Sequence, residues 1–444
     1  MAARHLLRMT TTISTMKSGL NFLVAARQCE IRELEQLLLT SELVRRTAEL
    51  IHALQKERGL SNLYLSAGEG ASGAPREKQI AACDSAVERW RTALDQLDTE
   101  GGRIGNGARL FSRIAYALQG LGALPGLRQR IGARALDSTR SAQSFTRVIS
   151  ALLGVVFDAA DSASDPGLSR MLVATFHFMQ GKEFTGQERA IGAGAFAQGS
   201  VEGSRQQHWL HLIESQERCF TIFTDFAEAA HIALWQACLG GAVMADVERM
   251  RRVACTAPVG SGLDRALSQP WFDSCTERID AMQAVEVRIA ADLVRRCQEK
   301  LGEARIDLDT QAGLLEAAQS LPANASGGFF DDPLPRAESP SLGPQLGRSV
   351  LEMVQEQSHR LQAMADELAN VRAALNERKL VERAKGLLMA HRQLSEEDAH
   401  KMLRQTAMSQ NKRLVDVAEA VLAMAELLPA QAPASPGTGP APRR

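Results

Sequence analysis

Val381-Glu-Arg-Ala-Lys-Gly-Leu-Leu-Met389, followed by Ser395-Glu-Glu-Asp-Ala399, Leu403-Arg-Gln-Thr-Ala407 and Leu414-Val-Asp-Val-Ala418, is the stretch whose reading decides the fold. Leu380, Ala384, Leu387, Leu388 and His391 recur at helical spacing and define one face of a first helix. Leu394, Ser395, Asp398 and Ala399 take staple, N-cap, N3 and N4 positions, which predicts a second helix starting at Ser395. In a third, Leu414, Val417, Ala418, Val421, Leu422, Ala425 and Leu428 form an apolar stripe that ends before Pro429. Ala384, Gly386, Ala399, Ala407 and Ala418 are small enough to let helices approach closely. Residues 376–429 are therefore expected to form a three-helix domain, followed by a disordered tail over 430–444.

Working outward, Val350, Val354, Gln357, Leu361, Met364, Leu368, Val371 and Leu375 alternate three and four residues apart. That spacing is a heptad seam with one polar break, and residues 348–375 read as a short coiled coil of a parallel homodimer. The alternative is a helix packed on its own domain. Upstream, Leu321 to Gly347 is dominated by Pro, Gly, Ser and Asp and reads as exposed chain, so a linker is assigned to 304–347. Between Met16 and Glu303, long helical segments are broken at Gly68 to Pro75, Gly101 to Gly107, Gly120 to Gly132, Asp161 to Gly167, Gly199 to Gly203 and Ala257 to Gly262. A four-helix bundle with additional packed helices would bury that much helix. The first 15 residues, with Arg4, Arg8 and a Thr-rich patch, are expected to be a disordered extension.

Composition agrees with an all-α protein. Aromatics make up 5% of the chain, and strand-like alternation is nearly absent. A formal net charge of -1 with 23% charged residues excludes a broadly basic nucleic-acid binder. Seven cysteines are scattered without paired spacing, so neither a zinc site nor a disulfide framework is expected, and a reducing cytoplasm fits. No apolar run approaches the roughly 18 residues of a membrane span. The nine histidines form no metal-binding pair, no glycine loop resembles a phosphate cradle and no nucleophile elbow is present. An enzyme, a cofactor and a metal are all unexpected on that reading.

The C-terminal pattern resembles the ANTAR domain, a three-helix module of bacterial regulators that bind structured leader RNA and prevent transcription termination. All five small residues match positions that family keeps small. The family usually has an aromatic residue directly after the second-helix alanine; here that position is His400, which can still stack on a base. Nine Lys or Arg face eight Asp or Glu between Asn376 and Leu428, so distribution must matter more than net charge. Arg378, Arg383, Lys385, His400, Arg404, Lys412 and Arg413 are the candidate RNA-contacting residues that the resemblance implies.

The N-terminal region offers a different clue. Val44, Thr47, Ile51, Leu54, Arg58, Ser61 and Leu65 fall on one stripe, which places a guanidinium among core-facing positions. An unpaired buried charge is prohibitively costly, so Arg58 needs an anion, either a carboxylate or a ligand. Leu54-Gln-Lys-Glu-Arg-Gly-Leu-Ser-Asn-Leu-Tyr-Leu65 resembles the first signature of the NIT domain, the nitrate- and nitrite-sensing family. Gly181-Lys-Glu-Phe-Thr-Gly-Gln-Glu-Arg-Ala-Ile-Gly-Ala-Gly-Ala-Phe196 resembles a second. Its run from Gly192 to Ala195 is useful mainly where a backbone or a small ligand comes close. A third cluster, Arg249, Arg251 and Arg252, lies on an amphipathic helix with Val243, Val247 and Ala254.

Residues 16–303 thus resemble a NIT sensor. The resemblance implies nitrate or nitrite as effector, with Arg58, Arg189 and one of Arg249, Arg251 and Arg252, taken as Arg251, as its ligands. Nitrate is planar and singly charged, and two guanidinium forks from different helices can hold it in plane. The bland alternative pairs each arginine with a neighbouring Glu57, Glu188 or Glu248. Together the two resemblances imply a cytoplasmic, nitrate-responsive antiterminator of nitrate-assimilation genes. The competing class is an anion-sensing signalling adaptor whose C-terminal helices bind protein.

Overall fold

The computed structural model describes residues 19–66, 73–97, 107–258, 260–319, 342–392, 394, 396–410 and 412–426. The expected extension over 1–15 and tail over 430–444 lie outside them. The described residues form α1 (Gly19–Ser66), α2 (Ala74–Leu94), α3 (Gly107–Gly122), α4 (Leu124–Gly132), α5 (Ser138–Ser162), α6 (Pro166–Gln198), α7 (Gly203–Phe226), α8 (Ala229–Leu239), α9 (Ala242–Thr256), α10 (Ser268–Gln319), α11 (Leu342–Arg392), α12 (Glu396–Gln410) and α13 (Leu414–Glu426). Among them, β structure is limited to one isolated bridge between Ser200 and Gly262. The chain divides into two units, residues 1–369 and 370–444.

Four long helices organise the first unit. α1 packs on α10, α10 on α6, α6 on α5 and α5 on α1, which closes a four-helix bundle. α2 lies on the outside of α1 and α3 on that of α5, while α7 flanks α6, and α8 and α9 flank α10. The breaks between these helices have local causes. Asp137 caps α5 by accepting from Arg140 N at 2.7 Å. Asp165 caps α6 by accepting from Leu168 N at 2.9 Å, with Pro166 at a position that needs no donor. Each such cap stabilises its helix by about 1 kcal/mol. Gly199 ends α6 at φ 73°, donating to Ala195 O and Phe196 O, a left-handed cap that favours glycine.

Large rings fill the seams between α6 and the flanking helices. Trp209, Trp271 and Phe196 form one cluster, and Phe178, Phe220, Phe223 and Trp235 another. Indole N–H groups in these interiors are satisfied: Trp90 donates to Thr47, Trp209 to Glu188 and Trp271 to the Arg189 carbonyl.

The boundaries of the expected linker shift. α10 continues past Glu303 to Gln319, because Ala304 is buried and the ion pairs Arg27–Asp307 (3.0 Å) and Arg305–Glu35 (2.7 Å) tie this extension to α1. α11 begins at Leu342, and the intervening residues lie outside those described. The heptad seam therefore sits within α11, continuous with the first helix of the C-terminal module. On that seam Leu361 is exposed and Met364 and Leu368 are half-buried, whereas the side chains of Val350, Val354, Gln357 and Leu375 lie outside those described.

In the C-terminal unit, Ala384, Leu388, Ala399, Leu403, Ala407, Val417 and Ala418 form the core, with Leu380, Leu394, Leu414, Val421 and Leu422 packed around it. Of the expected face, Leu387 and His391 do not join, and one expected small residue differs. His391 is exposed, and a Cβ at Gly386 would meet nothing within 4 Å, so that glycine marks no close helix approach.

Candidate functional site

The polar centre of the four-helix bundle is built from α1, α5, α6 and α10. The three-four stripe of α1 carries Arg58 into the interior, where it is 1% exposed. Its Nη1 donates to Glu183 Oε1 at 2.5 Å and to Thr146 Oγ1 at 2.9 Å, and its Nη2 to Glu183 Oε2 at 3.1 Å. The anion that Arg58 requires is thus a carboxylate two turns before Arg189 on α6, in the forked geometry that suits a guanidinium. Gln55 Nε2 and Gln187 Nε2 also donate to Glu183, at 2.8 and 3.0 Å.

Arg189 is held differently. It is 4% exposed and has no carboxylate within 4 Å among the described residues. Its Nη1 donates to Thr276 Oγ1 at 2.9 Å and its Nη2 to the Gln55 carbonyl at 3.3 Å, and the guanidinium lies over the Phe272 ring at 4.9 Å. Burial, followed by the nearby charge of Arg58, pulls this guanidinium down to about 10. It remains a cation at neutral pH. Burying such a group with no carboxylate in contact is costly, and the charges of Asp280 and Glu183 offset that burial only in part.

Each arginine lies against a glycine of the other helix. A Cβ at Gly186 would stand 2.6 Å from Arg58 Nη2, and a Cβ at Gly59 would stand 2.8 Å from Arg189 Nη2. The adjacent glutamates turn the opposite way. Glu57 leaves the bundle to meet Arg128 of α4 (both contacts 2.8 Å), and Glu188 meets Arg251 of α9 (both 2.6 Å). Two Glu-Arg dipeptides on neighbouring helices therefore use the same arrangement, with the glutamate clamping a flanking helix and the arginine facing the centre.

Arg251 consequently falls outside the central pair. Of the three clustered arginines it alone is buried, but its guanidinium is occupied by Glu188, by Glu248 at 2.5 Å and by Gln216 at 3.1 Å. Burial pulls Arg251 down, but the charge of Glu188 outweighs it and holds the group above its ordinary range. Arg251, the third expected ligand, is held in a buried ion pair with Glu188 and is not brought together with Arg58 and Arg189. The glycine run is also reassigned: a Cβ at Gly192 would stand 2.3 Å from the Trp271 ring, so that glycine admits an indole.

Further charge lies beside the pair. Lys182 is fully buried, donates to Gln283 at 2.6 Å and pairs with Glu286; burial lowers its basicity and raises the Glu286 carboxyl. His52 is driven down to about 2 by burial and then by Lys182, Lys56 and Arg189, despite Asp280 at 3.9 Å. It is a neutral imidazole beside a cationic centre.

In the C-terminal unit the candidate residues separate by exposure. Arg383, Arg404, Lys412 and Arg413 are exposed. Arg413 pairs with Asp416 at 3.1 Å and Glu377 at 3.4 Å, and its backbone N–H donates to Asp416 Oδ2 at the start of α13. Lys385 is 8% exposed and His400 9%, so the open stacking surface expected at His400 is not presented. The Arg378 side chain lies outside those described.

Comparison with known proteins matches this architecture at both ends. The model of the nitrate and nitrite sensing (NIT) family matches residues 49–294, and that of the ANTAR domain residues 369–422. The nitrate regulatory protein of Klebsiella oxytoca is 33% identical over 404 residues, covering 90% of this chain and 94% of its own. The chain belongs to the NIT family. The structure of the NasR transcription antiterminator aligns with a TM-score of 0.56 at 30% identity, over 92% of this chain and 99% of its own.

Within the NIT region, the sequence signatures identified Arg58 and Arg189 but not their surroundings. Glu183, Gln55, Thr146, Thr276 and Phe272 come from four helices. Gln55 and Glu183 lie inside the first and second signatures, whereas Thr146, Thr276 and Phe272 lie outside both.

Proposed function

We propose that this chain is a one-component regulator that senses nitrate or nitrite through Arg58 and Arg189 and acts through its ANTAR domain on structured leader RNA, preventing transcription termination of nitrate-assimilation genes. One observation carries the sensing half: Arg189 is a buried cation with no carboxylate within 4 Å among the described residues, beside an arginine already neutralised by Glu183. The centre thus accommodates one added negative charge, which is what nitrate and nitrite supply. Arg58 and Arg189 belong to different helices, so an anion held by both ties α1 to α6 and favours one arrangement of the bundle.

The exposed Arg383, Arg404, Lys412 and Arg413 are the phosphate-contacting candidates of the output domain. The relatives are named as regulators, which supports a non-enzymatic role. Exposed Leu361 on the α11 seam supports a homodimer that brings two ANTAR domains together, and a leader-RNA target supports a cytoplasmic protein. Calorimetry of the full-length protein with nitrate, nitrite, chloride and sulfate tests the effector. Gel-shift titration against a leader hairpin, with and without nitrate, tests the output. Binding of nitrate or nitrite and an effector-dependent gain in RNA affinity are expected; equal RNA affinity in both conditions overturns the reading.

A further inference from the structure

Arg58 already holds an anion. Glu183 presents two oxygens to its two terminal nitrogens, and the oxygen edge of a nitrate has the same planar, two-pronged shape. Glu183 is 0% exposed, so water does not screen this competition. The carboxylate also has support that does not depend on Arg58: Gln55 and Gln187 donate to it at 2.8 and 3.0 Å.

We infer that Glu183 is a tethered counter-ion that occupies Arg58 until an anion binds and then yields that fork, and so sets both the affinity and the charge selectivity of the site. The inference rests on the assignment of Arg58 and Arg189 as the effector site. With Glu183 present, the two arginines carry one net positive charge and match a monoanion. Without it they carry two and match a dianion such as sulfate. Gly186, one turn from Glu183, is where Arg58 Nη2 rests, since a Cβ there would stand 2.6 Å from that nitrogen, and the two glutamine amides remain to hold the carboxylate when it yields the fork.

The test is calorimetry of the full-length protein and its Glu183→Gln and Glu183→Asp variants, titrated with sodium nitrate and sodium sulfate in a chloride background. Glutamine keeps the shape and an acceptor for Arg58 but removes the charge; aspartate keeps the charge on an arm too short for the same fork. Glu183→Gln should bind nitrate at least about tenfold more tightly and gain sulfate binding, while Glu183→Asp falls between it and the wild type. A folded Glu183→Gln that binds nitrate no better than wild type and still rejects sulfate overturns the inference. If glutamine prevents folding, wild-type affinity and selectivity in Glu183→Asp overturn it equally. Failure of the underlying site looks different: Arg58→Ala and Arg189→Ala would then bind nitrate as the wild type does.

Discussion

The two units differ in what lies at their centres. At the centre of the N-terminal bundle, Arg58, Lys182, Glu183, Glu188, Arg189 and Glu286 are all at most 4% exposed, whereas the core of the C-terminal module is alanine, leucine and valine. The module's interior stabilises its fold and leaves chemistry to its surface. The bundle's interior opposes stability, because each buried charge there carries a desolvation cost that a hydrophobic side chain of similar size would not. That difference marks where an effector acts: a ligand changes an equilibrium most where the protein's own interactions are incomplete.

The sharpest way to break this contrast lies within the bundle. Arg58→Ala removes the partner of buried Glu183 and should lower stability by about 3–5 kcal/mol, as well as abolishing the nitrate response. Arg189→Ala removes a cation with no carboxylate within 4 Å, so it should abolish the response at a smaller cost in stability than Arg58→Ala, the loss coming from its bonds to Thr276 and the Gln55 carbonyl and its packing on Phe272. Denaturant melts of both variants beside calorimetry would decide it. Equal destabilisation by the two substitutions would show that Arg189 has a counter-ion after all. Arg58→Lys should also lose nitrate, since an ammonium presents no planar fork.

The complementary change falls in the module. Leu403 is 1% exposed among Ala384, Leu388 and Val417, so Leu403→Ala should destabilise the module by about 2–5 kcal/mol. Nitrate affinity, read by calorimetry, should be unchanged. A loss of nitrate binding in this variant would mean that the sensor depends on the module's folding.

This division also explains what was legible in the sequence. The module's interior follows from apolar periodicity alone, so the spacing of Leu403, Val417 and Ala418 is enough to place them in its core. Arg58 was legible for a related reason, as a charge breaking an apolar stripe. Its partner was not, because Glu183 lies 125 positions away on α6 and its pairing depends on how α1 and α6 are rotated, which no local pattern encodes. Glu57 and Glu188 misled in the same way. They are next to Arg58 and Arg189 in sequence but face outward to Arg128 and Arg251. Lys385 and His400 show the converse: their residue types suggested an open surface, whereas they are 8% and 9% exposed.

Acid sensitivity gives a smaller effect from the same polar centre. His52 titrates at about 2 when folded against an ordinary value of 6.5, so below pH 6.5 the unfolded chain binds a proton the folded one refuses. Stability from this group is complete above pH 6.5 and declines as pH falls, by about 2 kcal/mol at pH 5. His52→Gln should flatten the stability profile between pH 6.5 and 5 relative to wild type. Parallel profiles would show that the folded bundle accommodates a charged His52.

The smallest effect concerns the module's surface and separates its exposed from its buried cations. An exposed arginine that neutralises one RNA phosphate releases about one counter-ion, so Arg404→Ala should reduce the slope of log affinity against log salt by about one unit. Lys385, at 8% exposure, reaches solvent too little to do the same, and Lys385→Ala should leave that slope unchanged while altering the module's melting temperature. Gel shifts of the full-length protein on a leader hairpin, at several salt concentrations with nitrate present, resolve the two. Equal slope changes in both variants would mean that Lys385 leaves its buried position when RNA binds, and that the module's surface and interior are less distinct than the exposures of these two side chains imply.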